Sequence, residues 1–237
     1  MRKSLLYLLI ALSTSLSAQL EISKINDSVL VYTTYQPIGE EFFPSNSMCV
    51  LTNSGILMVD TPWDTTQLRP LFDSLQKFWQ ARPVQVISTH FHKDRTAGLD
   101  WLSAHGVKTI SIEMTRQLCM ENNEEIPQFV VEPGSYVLDN VSYTIVYPGP
   151  GHAPDNIVLY FPRWKLLYGG CFIKSFVSEN LGNVGDADVR SWLKAAKHVR
   201  KQYGSAELVI TGHQDWKGLE SLNQTIHLLH QAKKSGQ

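Results

Sequence analysis

Cysteine is scarce in this chain, with three among 237 residues. That is too few for a disulfide framework, so the fold must rest on a hydrophobic core. Charge is sparse as well: Asp, Glu, Lys and Arg together make 18% of the residues and the formal net charge is -1. There is no basic patch and no RNA-binding aromatic motif, which argues against a nucleic-acid partner. Low-complexity tracts are missing, which argues against disorder. The N-terminal apolar stretch, residues 5–12, is too short for the roughly 20 residues that cross a bilayer, so no membrane anchor is expected.

Hydrophobic residues are plentiful at 43%, including six Trp and nine Phe. A chain of this length and composition suits one large domain or two closely packed halves. Residues 1–18 have the organisation of a secretory signal peptide. Arg2 and Lys3 give the positive region, residues 5–12 the apolar region, and small residues end it at Ala18. The mature domain is then 19–237, exported to the periplasm, soluble and monomeric. Loss of Arg2 and Lys3 takes the net charge to about -3. Export makes the odd cysteine count informative, because at least one of Cys49, Cys119 and Cys171 must stay unpaired. Cys49 and Cys119 fall in apolar or helical patterns and read as buried thiols, with a Cys49–Cys119 disulfide as the minor alternative.

The hydrophobic pattern alternates strands and helices twice. Strands are expected over 29–35, 47–52, 56–59, 84–88 and 107–112, with a hairpin turn at Thr52-Asn53-Ser54-Gly55. Residues 36–45 between the first two are long for a hairpin and read as a flap with apolar tips or a long connection. Helices are expected from Leu68, Leu71, Phe72, Leu75 and Phe78, then over 97–105 and 114–120. The second half gives strands at 136–138, 142–147, 157–161, 165–168 and 208–211. Its helices are 188–203 and a C-terminal one presenting Leu219, Leu222, Ile226 and Leu229. This grammar belongs to the α/β class, two packed sheets with helices outside.

Chemistry concentrates at Thr89-His90-Phe91-His92-Lys93-Asp94-Arg95, directly after the apolar run 84–87. His90 and His92 at alternate positions can project toward one metal ion, and Asp94 toward a neighbouring one. A lone HxH would carry little weight; HxHxD at a strand exit is more specific. Three later residues share that context: His152 in Gly151-His152-Ala153-Pro154-Asp155-Asn156, Cys171 after Gly169-Gly170, and His213 after Gly212. Glycine beside each permits a sharp turn and close approach to an ion. Taken singly, each could be a turn histidine or a buried thiol; together they are hard to dismiss. His105, His198, His227 and His230 lie in helical patterns and are expected on the surface.

The ordered set His90-x-His92-x-Asp94, His152, Cys171 and His213 resembles the metallo-β-lactamases, in the subclass with an Asp-Cys-His second zinc site. The likeness runs from about Val29 to Trp216. It includes Val59-Asp60-Thr61-Pro62-Trp63, Gly169-Gly170-Cys171-Phe172-Ile173-Lys174 and Gly182-Asn183-Val184-Gly185-Asp186-Ala187. The resemblance implies an αββα sandwich of two mixed β-sheets. It implies two Zn2+ ions, one on His90, His92 and His152, the other on Asp94, Cys171 and His213. The implied activity is hydrolysis of the β-lactam amide of penicillins, cephalosporins and carbapenems by a metal-bound hydroxide, conferring antibiotic resistance. Asp94 would also orient the nucleophile, Asn183 would assist at the carbonyl oxygen, and Lys174 would bind the substrate carboxylate.

Relatives of the same fold that act as lactonases or thioesterases show His directly after the HxHxD aspartate. Arg95 stands there in this chain and Cys171 supplies the missing ligand, which favours the lactamase reading over those and over a non-enzymic metal-binding module. Arg95 is expected as a buried cation under the second site, Asp60 as a support for the ligand loop, and Asp186 as a structural residue. Two departures from the family pattern stand out. Ala97-Gly98 replace the usual glycine pair, and Gln214-Asp215-Trp216 follow His213 where a glycine is usual.

Overall fold

A computed structural model describes residues 20–235. The proposed signal peptide, residues 1–18, lies outside the described residues.

The first sheet begins with an antiparallel meander, β1 (Leu20–Lys24), β2 (Val29–Ile38), β3 (Glu41–Leu51) and β4 (Ile56–Val59). It continues as a parallel set, β5 (Pro83–Ile87), β6 (Lys108–Ser111) and β7 (Phe129–Val130). Parallel neighbours need a crossover, and helices supply each one. These are α1 (Leu68–Trp79) before β5, α2 (Lys93–Thr96) and α3 (Leu99–Ala104) before β6, and α4 (Glu113–Asn122) before β7. The second sheet runs antiparallel through β8 (Gly134–Leu138), β9 (Val141–Val146), β10 (Val158–Phe161) and β11 (Leu166–Gly170). Then α5 (Val189–Tyr203) crosses over to the parallel strand β12 (Leu208–Thr211), and α6 (Ser221–Ser235) closes the chain.

Alternation along single strands builds the four layers. On β2, Val29 and Val31 point to the seam between the sheets, where Val50, Leu57 and Val59 meet Leu159, Phe161 and Tyr168. Leu30 and Tyr32, one step out of phase, pack instead against Leu68, Leu71 and Leu75 of α1. Both faces of the strand are covered, so it reads as a continuous apolar run. On the second sheet Val158, Leu167 and Val209 turn outward to Trp192, Ala196 and Val199 of α5 and Leu222, Ile226 and Leu229 of α6. Each such aliphatic burial contributes roughly 1.5–3 kcal/mol. The result is the expected αββα sandwich.

Three readings are decided by the structure. Of the two readings of residues 36–45, the long connection is excluded and the flap with apolar tips holds: β2 and β3 pair without interruption to Ile38↔Glu41, around a two-residue turn at Gly39-Glu40. Pro37 and Pro44 are tolerated because β2 and β3 run out past the rest of the sheet there, leaving Ile38 and Phe42 exposed at the tip. Phe78 and Leu219 do not face the core, at 53% and 59% exposed; α6 begins after Leu219. Cys49 and Cys119 are both buried free thiols, as expected, which excludes the alternative of a disulfide between them.

The expected helix 188–203 starts where its cap dictates: Asp188 accepts a hydrogen bond from the Ser191 amide at 2.9 Å. Parallel pairing places the C-terminal ends of β4 and β5, and those of β11 and β12, so that the loops leaving them converge. His90, His92 and Asp94 follow β5, Cys171 follows β11 and His213 follows β12. Such carboxyl-end crevices are where sheets of this kind bind ligands.

Candidate metal centre

Two donor sets meet at the sheet ends. The ligand atoms of His90, His92 and His152 lie within 4.8 Å of one another, and so do those of His90, Asp94 and Cys171. The expected partner His213 joins the second group: its Nε2 is 3.1 Å from Asp94 Oδ2 and 3.3 Å from Cys171 Sγ, while Sγ is 3.4 Å from Asp94 Oδ2. Donors around one tetrahedral zinc stand roughly 3.3–3.7 Å apart, given bonds near 2.0–2.3 Å. The Asp94, Cys171, His213 triangle is close to that spacing. The sets abut at His90 Nε2 and Asp94 Oδ1, 3.9 Å apart.

Hydrogen bonds behind the rings fix which nitrogen faces the site. His213 Nδ1 donates to the Pro44 carbonyl at 2.8 Å, leaving Nε2 as a lone pair beside Asp94. His92 Nε2 donates to Asp186 Oδ2 at 2.9 Å, which turns its Nδ1 toward His90 Nε2, 3.1 Å away. Asp186 therefore does more than shape its loop, contrary to expectation. Its place in the sequence gave no hint of a partner 94 positions earlier. Buried imidazoles resist protonation, and burial lowers the pKa of His90 and His152 well below the ordinary value, and that of His213 below it. Neutral rings are the form that binds metal. Because partners behind a ligating histidine tune affinity by about 10–100-fold, Asp186→Ala is expected to weaken metal binding at the three-histidine set by that order. Competition against a chromogenic chelator measures it; affinity within twofold of the unaltered protein would contradict the assignment.

Beneath the second set lies a buried charge network. Arg95 Nη2 is 3.0 Å from Asp94 Oδ2 and donates to the Gly212 carbonyl at 2.8 Å; Nη1 donates to the Asn46 carbonyl at 2.7 Å and reaches Asp60 Oδ2 at 3.4 Å. Burial alone would raise the pKa of Asp94, but Arg95 and then His213 hold it well below the ordinary value. Burial pushes Asp60 up to about 6 against the pull of Arg95 and the Tyr168 hydroxyl. Asp60 supports the ligand loop as expected: Oδ1 accepts from the Thr89 amide at 2.7 Å and Oδ2 from the Thr89 hydroxyl at 2.9 Å. Tyr168 donates to the same Oδ2 at 2.7 Å. Burial likewise pushes the Cys171 thiol far up, against Arg95, so a metal must displace its proton.

Glycines give this network its room. A Cβ on Gly212 would stand 2.7 Å from the Cys171 amide nitrogen and 2.8 Å from Arg95 Nη2. Gly170 turns the chain into Cys171 at φ +51°, and a Cβ there would meet Thr89 Oγ1 at 2.9 Å. Sequence reasoning missed Asn46, which clasps the two sheets. Its backbone amide donates to the Gly212 carbonyl at 2.8 Å, and its side-chain Nδ2 donates to the Thr211 and Gln214 carbonyls at 3.0 and 2.8 Å.

A cavity of about 570 Å³ opens over both donor sets. It is lined by the donors His92, Asp94, His152, Cys171 and His213, by the polar Lys174, Asn180, Asn183 and Gln214, and by the apolar Ile38, Phe43 and Trp63. Phe43 and Trp63 pack on the His213 ring, with centroids 5.1 and 5.5 Å away. Lys174 Nζ lies 5.6 Å from the Trp192 ring centroid, and burial lowers the Lys174 pKa. His105, His198, His227 and His230 are exposed and apart from the cavity, as expected.

The family model for the metallo-beta-lactamase superfamily matches residues 41–213, the span that carries every donor described above. The chain belongs to the metallo-beta-lactamase superfamily. A metallo-beta-lactamase type 2 of Bacillus cereus is 35% identical over 211 residues, covering 89% of this chain and 82% of that protein. One of Elizabethkingia meningoseptica is 31% identical over 212 residues, covering 89% and 85%. Among solved structures, a metallo-beta-lactamase from Pontibacter korlensis superposes with a TM-score of 0.86 at 30% identity, covering 90% of this chain and 99% of the other. The metallo-beta-lactamase IND-7 gives 0.86 at 30%, covering 89% and 98%. The fold and the metal-binding character of the site are those of this superfamily.

Proposed function

We propose that this metallo-beta-lactamase superfamily member hydrolyses the β-lactam amide of penicillins, cephalosporins and carbapenems with two zinc ions, and so confers antibiotic resistance. The observation that carries the reading is the pair of donor sets sharing an edge at His90 and Asp94 beneath an open cavity. His90, His92 and His152 would hold one ion, and Asp94, Cys171 and His213 the other. When bound, zinc supplies Lewis acidity and brings the pKa of a water to about 7.

The chain's own groups then have distinct tasks. Asp94 has Oδ2 turned to Arg95 and His213, and its Oδ1 on the side of His90; it stays ionised and orients the attacking water. Lys174 takes the substrate carboxylate as an ammonium in the cavity wall. Asn183 accepts from the Gly185 amide at 3.0 Å through Oδ1, which leaves its Nδ2 to donate to the lactam carbonyl oxygen as charge builds there. The C–N bond breaks as the new C–O bond is completed, and the proton passes to the departing nitrogen. Ile38, Phe43 and Trp63 give the cavity its apolar lining.

A lactonase or thioesterase reading fares worse, because Arg95 is committed to two carboxylates and two backbone carbonyls and offers no ligand atom. We extend the reading to export, with residues 1–18 cleaved and the mature monomer in the periplasm; Arg2, Lys3 and the apolar run behind them support this. No helix among the described residues is long and apolar enough to cross a membrane. The test is hydrolysis of a penicillin and a carbapenem by purified protein, followed by loss of lactam absorbance. Turnover that a chelator abolishes and zinc restores is expected. No turnover of any β-lactam with zinc bound would overturn the reading.

A further inference from the structure

Gln214, immediately after His213, combines an uncommon backbone with a committed side chain. Its φ is +59°, the left-handed region that glycine enters freely and other L-residues seldom do. An outlier of this kind beside a site invites a functional explanation. Its carbonyl accepts from Asn46 Nδ2 at 2.8 Å and its Oε1 accepts from the Ser178 hydroxyl at 2.5 Å. The residue lines the cavity together with Lys174, yet Nε2 has no hydrogen-bond partner among the described residues.

The segment that Gln214 grips is held from other directions too. Ser175 Oγ donates to the Asp215 carbonyl at 2.5 Å, Gln224 Nε2 to the Ser178 carbonyl at 2.6 Å, and the Lys174 amide to Thr225 Oγ1 at 2.8 Å. Lys174 and Gln214 therefore stand on two stretches laced to each other. With its carbonyl and Oε1 both fixed, the Gln214 amide cannot swing away, and its two N–H donors are presented in a set direction.

We infer that Gln214 is a specificity-determining residue, whose Nε2 donates to the carboxylate of the substrate alongside the Lys174 ammonium. The inference rests on the β-lactam reading above. An ionised carboxylate accepts at about four lone-pair sites, so one ammonium does not satisfy it. An ammonium is also a point charge without directional preference, whereas the clamped amide selects where the carboxylate lies. The preferred substrates are then those bearing a carboxylate on the ring fused to the lactam.

The experiment compares a penicillin with its methyl ester on the zinc-loaded protein. Gln214→Gly removes the donor and suits the left-handed backbone, so folding is retained. Loss of a hydrogen bond to a charged group corresponds to about 10–100-fold; KM for the acid should rise by that order, and KM for the ester by less than about twofold. Gln214→Glu should raise the acid KM further by like-charge repulsion. Ser178→Ala, which frees the amide without removing it, should give an intermediate rise. Equal effects on acid and ester would assign Gln214 a purely structural role and overturn the inference, as would no effect on either. No turnover of the acid by the unaltered protein would overturn both this inference and the reading beneath it.

Discussion

Replacing Cys171 with serine is expected to lower kcat/KM for a β-lactam by about 100-fold or more and to leave one zinc per chain instead of two. Loss of an outer partner of a ligand costs about 10–100-fold in affinity or activity, and loss of a ligand itself should exceed that. Serine matches the thiol in shape but does not ionise on a metal as readily, so the triangle with Asp94 Oδ2 and His213 Nε2 loses its sulfur donor. Cys171 is buried, and burial keeps its thiol protonated without metal. The metal-free variant should therefore unfold within a few degrees of the metal-free parent. Zinc content after gel filtration, steady-state kinetics and thermal unfolding together check the prediction. Retention of two zincs with full activity would remove Cys171 from the ligand set.

Arg95→Ala is expected to cost about 3–5 kcal/mol, because it strands buried charge rather than merely losing contacts. Asp60 and Asp94 would each lose their cation, and the Asn46 and Gly212 carbonyls their donor. At roughly 2–4 °C per kcal/mol for a chain of this size, unfolding should fall by about 10 °C. The loss should be larger in metal-free protein than in zinc-loaded protein, since an ion on Asp94 would neutralise part of the stranded charge. Arg95→Lys should fall between, as an ammonium lacks the planar fork that serves several acceptors at once. Scanning calorimetry of the two forms decides; a shift under 2 °C in the metal-free form would mean the network contributes little.

Much of this architecture was legible in the sequence, and the exceptions have physical causes. β4 and β12 fell where their β-branched runs said, because both are short, buried on both faces and bounded by turns. The donor cluster was readable because HxHxD is local and the remaining donors sit beside glycines. The choice between flap and connection at 36–45 stayed open because two prolines normally interrupt a strand, and only the tertiary setting shows this ladder outrunning its neighbours. Leu219 is read as facing inward on helical spacing although it lies before the helix start, and Phe78 keeps that spacing but is exposed near the end of its helix. Asp186 and Asn46 were invisible for another reason. Each acts through a partner far away in sequence, His92 for the first and residues 211–214 for the second, and a lone polar residue carries no record of such distance.

The β2–β3 ribbon holds a consequence for how this enzyme can be altered. Its turn at Gly39 meets nothing within 4 Å of an added Cβ, and its ladder ends in open solvent. Residues added in matched pairs, two to each strand, would lengthen the overhang while every existing side chain kept its face, since the pleat repeats every two residues. One added residue on one strand would instead force a bulge. The reach of the apolar lining over the cavity is thus a quantity that small paired insertions can adjust in steps, with the donors, the charge network and the sheet seam left untouched.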